Sequence, residues 1–431
     1  MPRLIHQDII DQVISALRDD RATLLRCCTV SHSFLIPSRK QLFFDLTIPH
    51  FYSGTYRYLN SLIHVLSIHP EYISYIRVLR LERLEIETIE KPCFIRLIKD
   101  IADRRALRVF RLEIRHAWEA LSVPIQTALT RLFQSPTLHT IVSHMCGYTF
   151  PVHVLGLATG LRHLNFICDH RLSCCHPTDV SPVILPLPSP ASPDIYLESL
   201  QIIFETNAPA LVGYLSRPDC PLKISQLRQL QIHSNYRLPT AAETVMKGAS
   251  RSLESLIWIL HQAISAHQSG EAVRKLMFEF SGIVPESDQL DPSIIQDLMS
   301  LRRLTFGIYD DRSAIDWIES GLGVPPKLEE LNILYQHWEE GYDSDVEALF
   351  ERQLQRDDKR FGLMYASGRF PCLRSINIML AVHPVIEEDT LEMCLRSRMP
   401  FIHGTGMLVV NVGEYPDGLQ FLMNASIVSR G

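Results

Sequence analysis

Long apolar runs are missing: no stretch approaches the ~20 residues that a membrane-crossing helix needs. Among the ten cysteines there is no Cys-x-x-Cys, and the two adjacent pairs, Cys27-Cys28 and Cys174-Cys175, follow no framework spacing. That usage fits reduced thiols of the cytoplasm or nucleus better than a secreted disulfide scaffold. Neither sign of charge dominates. A formal charge of −6 spread over 431 residues exerts no global pull toward nucleic acid or an anionic membrane. The N-terminus lacks the charged, then apolar, then small layout of a secretion signal, so a cytoplasmic and/or nuclear location is expected. There is no His-Glu-x-x-His, no Gly-x-Ser-x-Gly, no dinucleotide fingerprint and no phosphate-cradling glycine loop. The expectation is a protein that is not an enzyme and needs no cofactor.

Hydrophobic residues make up 46% of the chain and charged residues 21%, the balance of a folded protein rather than a disordered one. The first forty-five residues read as a small helical head. Ile9, Ile10, Val13, Ile14 and Leu17 recur at helical spacing and form an apolar stripe. Asp20 is placed to cap a second helix carrying Leu24, Leu25, Cys28 and Val30, and Pro37 stands where a third can begin. So short a unit must share the burial of its apolar side chains with a neighbour. That neighbour is either the following repeat, with the head as a simple cap, or another polypeptide.

The stretch from Ile5 and His6 to Val13 and Ile14 resembles the opening of an F-box, where a leucine-proline pair and an acidic residue precede the first amphipathic helix. The run from Leu24-Leu25 through Val30 to Phe34 is similar to its middle, and Ser38 to Phe43 to its close. The wording is like that of the F-box proteins that mushroom-forming fungi carry in large numbers. His6 stands where the family usually has proline, and Phe34 where many members have tryptophan. The resemblance covers about a tenth of the chain. It implies docking of a Skp-type adaptor and, through it, a cullin, by Ile5, His6, Ile9, Ile10, Val13, Leu24, Leu25, Val30 and Phe34. The residues alone do not divide these positions between internal packing and docking.

Beyond the head one phrase recurs: aliphatic-x-x-aliphatic-x-aliphatic. It begins at Ile76, Leu107, Leu161, Leu197, Leu227, Leu253, Val273, Leu301, Leu328 and Leu373, with a degenerate copy at Leu138. The spacing of roughly 20–45 residues is that of solenoid repeats. The alternating end of each phrase predicts a short strand with one apolar face, and the leading residue predicts a buried turn. Helix-compatible stretches lie between phrases, as at Ile95 to Ala102 and Ile294 to Met299. The series resembles leucine-rich repeats, though without their regular asparagine or spacing. The expected fold is α/β: a helical head at 1–45, then an irregular leucine-rich-repeat arc over 46–412, with parallel strands on the concave face and helices on the convex face. A proline-rich loop at 168–194 and a helical insertion at 338–370, carrying a helix from Asp345 to Phe361, interrupt the arc. Residues 413–431 form a closing cap or tail. A conventional α/β domain is the competing reading.

In such a stack the filler residues project from the strand face opposite the helices. Arg80, Arg111, Asn165, Gln201, Gln231, Thr305, Asn332 and Asn377 are expected in one row; Val109, His163, Gln229, Lys275, Arg303 and Glu330 lie in the next. Glu82 and Glu113 are placed to neutralise the early arginines. Within these rows Arg80, Arg111, His163, Asn165, Gln201, Gln231, Lys275, Arg303 and Asn332 are the candidate target-binding residues; a merely solvated face is the alternative. Cys168, His170, Cys174, Cys175 and His176 carry zinc-ligand chemistry without the tight spacing that a site needs, so no metal is expected. Together these features predict a substrate-recognition subunit of an SCF-type ubiquitin ligase, with an unknown protein target. A repeat scaffold unconnected to a ligase is the second reading, and an enzyme of unfamiliar type the third.

Overall fold

A computed structural model describes residues 6–49, 55–114, 118–145, 150–168, 193–204, 209–235, 239–261, 295, 297–308, 325–336, 344–382, 393 and 395–414. Ile5, the Val273 to Phe278 phrase with Lys275, the loop residues His170, Cys174, Cys175 and His176, and the tail beyond Glu414 lie outside them. The fold is α/β, and the chain divides into two compact bodies. One comprises Met1–Leu197 with Arg217–Lys223, the other Glu198–Ser216 with Ile224–Gly431. The division falls inside what the recurring phrases suggest is a single series.

The first body opens with three helices, α1 (Gln7–Ala16), α2 (Arg21–Cys27) and α3 (His32–Leu42). Asp20 caps α2 as its spacing suggests, accepting the Thr23 N–H at 2.9 Å and the Thr23 hydroxyl at 2.6 Å. The third helix corrects the expectation for Pro37: it starts at His32, and the proline sits in its interior. Pro37 has no N–H to give the Ser33 carbonyl. The Gln7 amide of α1 donates to that carbonyl instead, at 3.1 Å. One side chain thus repairs the defect and ties two helices together.

After the head come β1 (Asp45–Ile48), α4 (Thr55–Ile68), β2 (Val78–Leu84), the short α5 (Ile86–Ile89), α6 (Pro92–Arg104), β3 (Val109–Ile114), α7 (Val123–Phe133), β4 (Thr140–Met145) and β5 (His163–Cys168). These five strands pair side by side in chain order and all run parallel. Parallel neighbours need a crossover, and the intervening segments supply it. A separate two-residue ladder joins β6 (Ile195–Tyr196) to β8 (Leu222–Lys223).

The second body holds β7 (Ser199–Phe204), α8 (Pro209–Leu215), β9 (Gln229–Asn235), α9 (Pro239–Ala249), β10 (Ser255–His261), β11 (Arg303–Ile308), β12 (Glu330–Gln336), α10 (Ser344–Ala366), β13 (Ser375–Val382), α11 (Pro400–Gly404) and β14 (Leu408–Glu414). Its strands are likewise parallel, in the order β7-β9-β10-β11-β12-β13-β14. The helix expected over Asp345 to Phe361 is longer at both ends. It stops at Gly368, whose φ of +74° is the left-handed backbone that ends many helices.

Burial follows the phrases. The leading residues Ile76, Leu107, Leu138 and Leu161 are buried, as are the alternating strand residues Leu79, Leu81, Phe110, Leu112, Leu164 and Phe166. Phe110 on β3 meets Phe133 on α7 edge-on at 5.4 Å between ring centroids, so this strand face looks onto the helices. In the second body Trp258 and Phe306 on adjacent strands meet edge-on at 5.9 Å. No helix among the described residues is long and apolar enough to cross a membrane.

Candidate protein-binding surfaces

The head folds around Ile10, Ile14 and Leu24, with Leu17, Cys27, Phe34 and Leu42 packed against them. Ile10 and Leu24 are therefore internal supports, which corrects their assignment as docking residues: their side chains are consumed by the core. Phe34 serves the same core from its edge. The remaining candidates face out. Ile9 is 53% exposed, Val13 49%, Leu25 54% and Val30 66%, and Ile36 on α3 joins them at 44%. Ile9 and Val13 lie one helical turn apart, so they share a face of α1. His6, at the start of that helix, is exposed beside Asp8 at 3.1 Å.

The head is fastened to the body. Phe43, just past α3, stacks on Tyr72 at 4.6 Å, Arg39 lies over the same ring at 5.6 Å, and Arg18 lies over Phe44 at 3.8 Å. The Phe44 carbonyl then accepts the N–H groups of Arg77 and Val78 that open β2. That side of the head is occupied. The exposed residues just named are not part of this junction.

The strand faces carry the second candidate surface. In the first body Thr47, Arg80, Arg111, Val142 and Asn165 are register partners across β1 to β5. In the second, Gln201, Gln231, Ile257, Thr305, Asn332 and Asn377 line up in the same way. His163 follows Val109 and Thr140 in one adjacent row, and Arg303 stands between Ser255 and Glu330 in the other. Val142 and Ile257 interrupt the polar rows with aliphatic side chains.

Several row residues are committed to one another. Arg80 grips Asp45 of β1 with two nitrogens, at 3.2 and 2.7 Å. Asn332, nearly buried, donates to the Thr305 hydroxyl at 2.9 Å, while its carbonyl oxygen accepts from the Asn377 amide. Asn377 also donates to Glu330 at 3.0 Å. The amides thus knit neighbouring strands, so Asn332 is an internal brace more than a free contact. Gln231 is buried as well, whereas Arg303 is exposed and Arg111, His163, Asn165 and Gln201 are half-buried.

Glu113 is the pivot of the arginine-rich edge. Its carboxylate is 6% exposed and lies 2.6 Å from Arg83 Nε, 3.7 Å from Arg111 and 3.5 Å from His144 Nδ1. Arg83 sits where the β2–β3 register shifts, with φ at +49°, a left-handed conformation costly for a residue with a Cβ. The bulge carries the guanidinium onto the neighbouring strand's carboxylate.

One feature of the phrases carries more than filler. Among the described phrases the residue after the leading aliphatic holds a recurring backbone position: the carbonyls of Arg77, Arg108, His139, Glu198, Arg228, Glu254, Arg302 and Glu329 each accept two N–H groups from the next described phrase. In the second body these residues are Glu198, Arg228, Glu254, Arg302, Glu329 and Arg374, and their charges alternate. In the first body they are Arg77, Arg108, His139 and Arg162. Reading the second position of every phrase as a column would have exposed this contrast. No protein-family model matches the chain, and no curated protein matches it either.

Proposed function

We propose that this chain is an F-box protein with irregular leucine-rich repeats, acting as the substrate-recognition subunit of an SCF-type ubiquitin ligase. The head docks a Skp-type adaptor, and the repeat strands hold a target protein. The chain performs no bond chemistry; it raises the local concentration of target at the enzyme that transfers ubiquitin. The observation that carries this reading is the exposed set Ile9, Val13, Leu25 and Val30 on a head that is fastened to the repeats through other residues. Covering a large apolar side chain is worth about 1.5–3 kcal/mol each. A head serving only as a cap would have its apolar side chains turned into the first repeat.

The test uses the full-length chain. Deleting residues 1–45 would strip Phe43 from Tyr72 and Phe44 from the start of the sheet, so loss of binding would be confounded with damage to the body. Leu25→Asp and Val30→Asp leave that junction intact. Affinity purification from a eukaryotic host should recover a Skp-type adaptor and a cullin with the native chain and neither with the double variant. Recovery of protein partners without adaptor or cullin would replace this reading with that of a scaffold unconnected to ubiquitin transfer.

A further inference from the structure

The outer face of α4 is built unlike that of α6 in the same body. Tyr58, Ser61, Val65 and Ile68 follow one another along one flank of α4 at three- and four-residue spacing. All four are exposed, Val65 at 38% and Ile68 at 58%. In its fourteen residues the helix holds no acid and a single arginine, Arg57. By contrast, α6 spends its outward positions on Arg96, Lys99, Asp100 and Asp103, none of them buried. A helix that faces water puts charge outside. An outer face that is apolar and poor in charge has the composition of an interface centre.

That face continues the exposed surface of the head. Arg18, in the turn between α1 and α2, covers the Phe44 ring just before β1. The Thr47 carbonyl of β1 accepts the Tyr58 hydroxyl at 3.2 Å, which fixes the phenol ring in the first turn of α4. The Arg21 guanidinium acts on the same phenol: burial pushes the Tyr58 hydroxyl up, and Arg21 opposes it. Arg21 stands one turn before Leu25 on the same side of α2, and both are exposed. Leu25, Arg21 and Tyr58, then Val65 and Ile68, thus succeed one another across the boundary between the head and α4.

We propose that the adaptor seated on the head extends onto α4, where Tyr58, Val65 and Ile68 form the second half of one docking surface. A specific interface takes about 20–30 residues a side. The head brings Ile9, Val13, Leu25, Val30 and Ile36 as exposed large apolar residues, and α4 adds its three beside them. The occupant is the adaptor and not a separate protein because the two patches meet at Arg21 and Tyr58. This inference rests on the adaptor-docking half of the function proposed above, and adds a part of the chain that the head does not include.

The test titrates the full-length chain with the Skp-type adaptor that co-purifies with it from a eukaryotic host. Val65→Asp combined with Ile68→Asp should weaken the affinity at least tenfold, and Val65→Ala combined with Ile68→Ala roughly fivefold, both at an unchanged melting temperature. Val123→Asp, which removes a still more exposed apolar side chain from α7, should change nothing. If the aspartate pair lowers the melting temperature, the alanine pair decides. Native affinity in both double variants would overturn the α4 half alone, with the head still judged by Leu25→Asp and Val30→Asp. A native chain that recovers no adaptor would overturn the proposed function and the extended surface together. A native dimer that the aspartate pair turns into a monomer, with adaptor affinity intact, would overturn the extension and reassign this face to a second copy of the chain.

Discussion

Leu24 and Leu25 are chain neighbours in α2 with opposite surroundings: the first is 1% exposed and packs against Ile10 and Ile14, and the second is 54% exposed. Their substitutions should therefore separate folding from docking. Leu24→Ala leaves a cavity and should cost about 2–5 kcal/mol of stability. Leu25→Asp should leave the melting curve nearly unchanged and abolish adaptor recovery. Equal destabilisation by both would mean that Leu25 is structural.

The alternating column predicts a graded response at Glu329, which lies between Arg302 and Arg374. Glu329→Gln should cost no more than about 1 kcal/mol, because exposed pairs are weak. Glu329→Lys, which aligns three cations, should cost more, and added salt should recover part of the loss. Thermal melts at low and high ionic strength test both.

Asp358 of α10 is nearly buried and accepts the Phe401 N–H at 3.0 Å and the Ile402 N–H at 2.9 Å. Those are the opening donors of α11, which have no intrahelical partner. Asp358→Ala should destabilise the protein by roughly 2–4 kcal/mol, since hydrogen bonds to a charged group are worth more than neutral ones. Chemical denaturation should register the loss, and Asp358→Asn should lose less.

His139 predicts a pH effect. Burial first, then Arg108 and Arg162, hold its imidazole below the ordinary 6.5; Thr140 Oγ1 lies at 2.9 Å and the His163 ring meets it edge-on. The unfolded chain thus takes up protons on this residue before the folded one does. The stability it contributes is complete above pH 6.5, falls as the pH drops through that value, and levels off below the folded pKa. Burial lowers His153 in the same direction, so the limb is shared. His139→Asn should flatten, not remove, the decline in melting temperature between neutrality and about pH 5; an unaltered slope would contradict the assignment.

Much of the strand architecture was legible because a strand has a period of two. Leu79 and Leu81 turn inward together and Arg80 turns away, whatever the crossovers do. The register rows of Arg80 with Arg111, and of Thr305 with Asn332 and Asn377, follow once the phrases are stacked in order. The Asp20 cap was equally local. The interior Pro37 was not, because its tolerance depends on Gln7, twenty-six residues from the Ser33 carbonyl it satisfies.

By itself, the sequence determined which residues lie on the buried face of each strand, where the phrases start, and that a short apolar head precedes them. Those properties follow from local periodicity and from the free energy of hiding apolar surface. Only the tertiary structure decided which head residues are spent on the core and which stay exposed. It also decided that the strands form two bodies, and that Glu113 gathers Arg83, Arg111 and His144. These outcomes depend on contacts between residues far apart in the chain. Periodicity tells a side chain which way to point, and the partner it meets there is settled when the strands and helices pack.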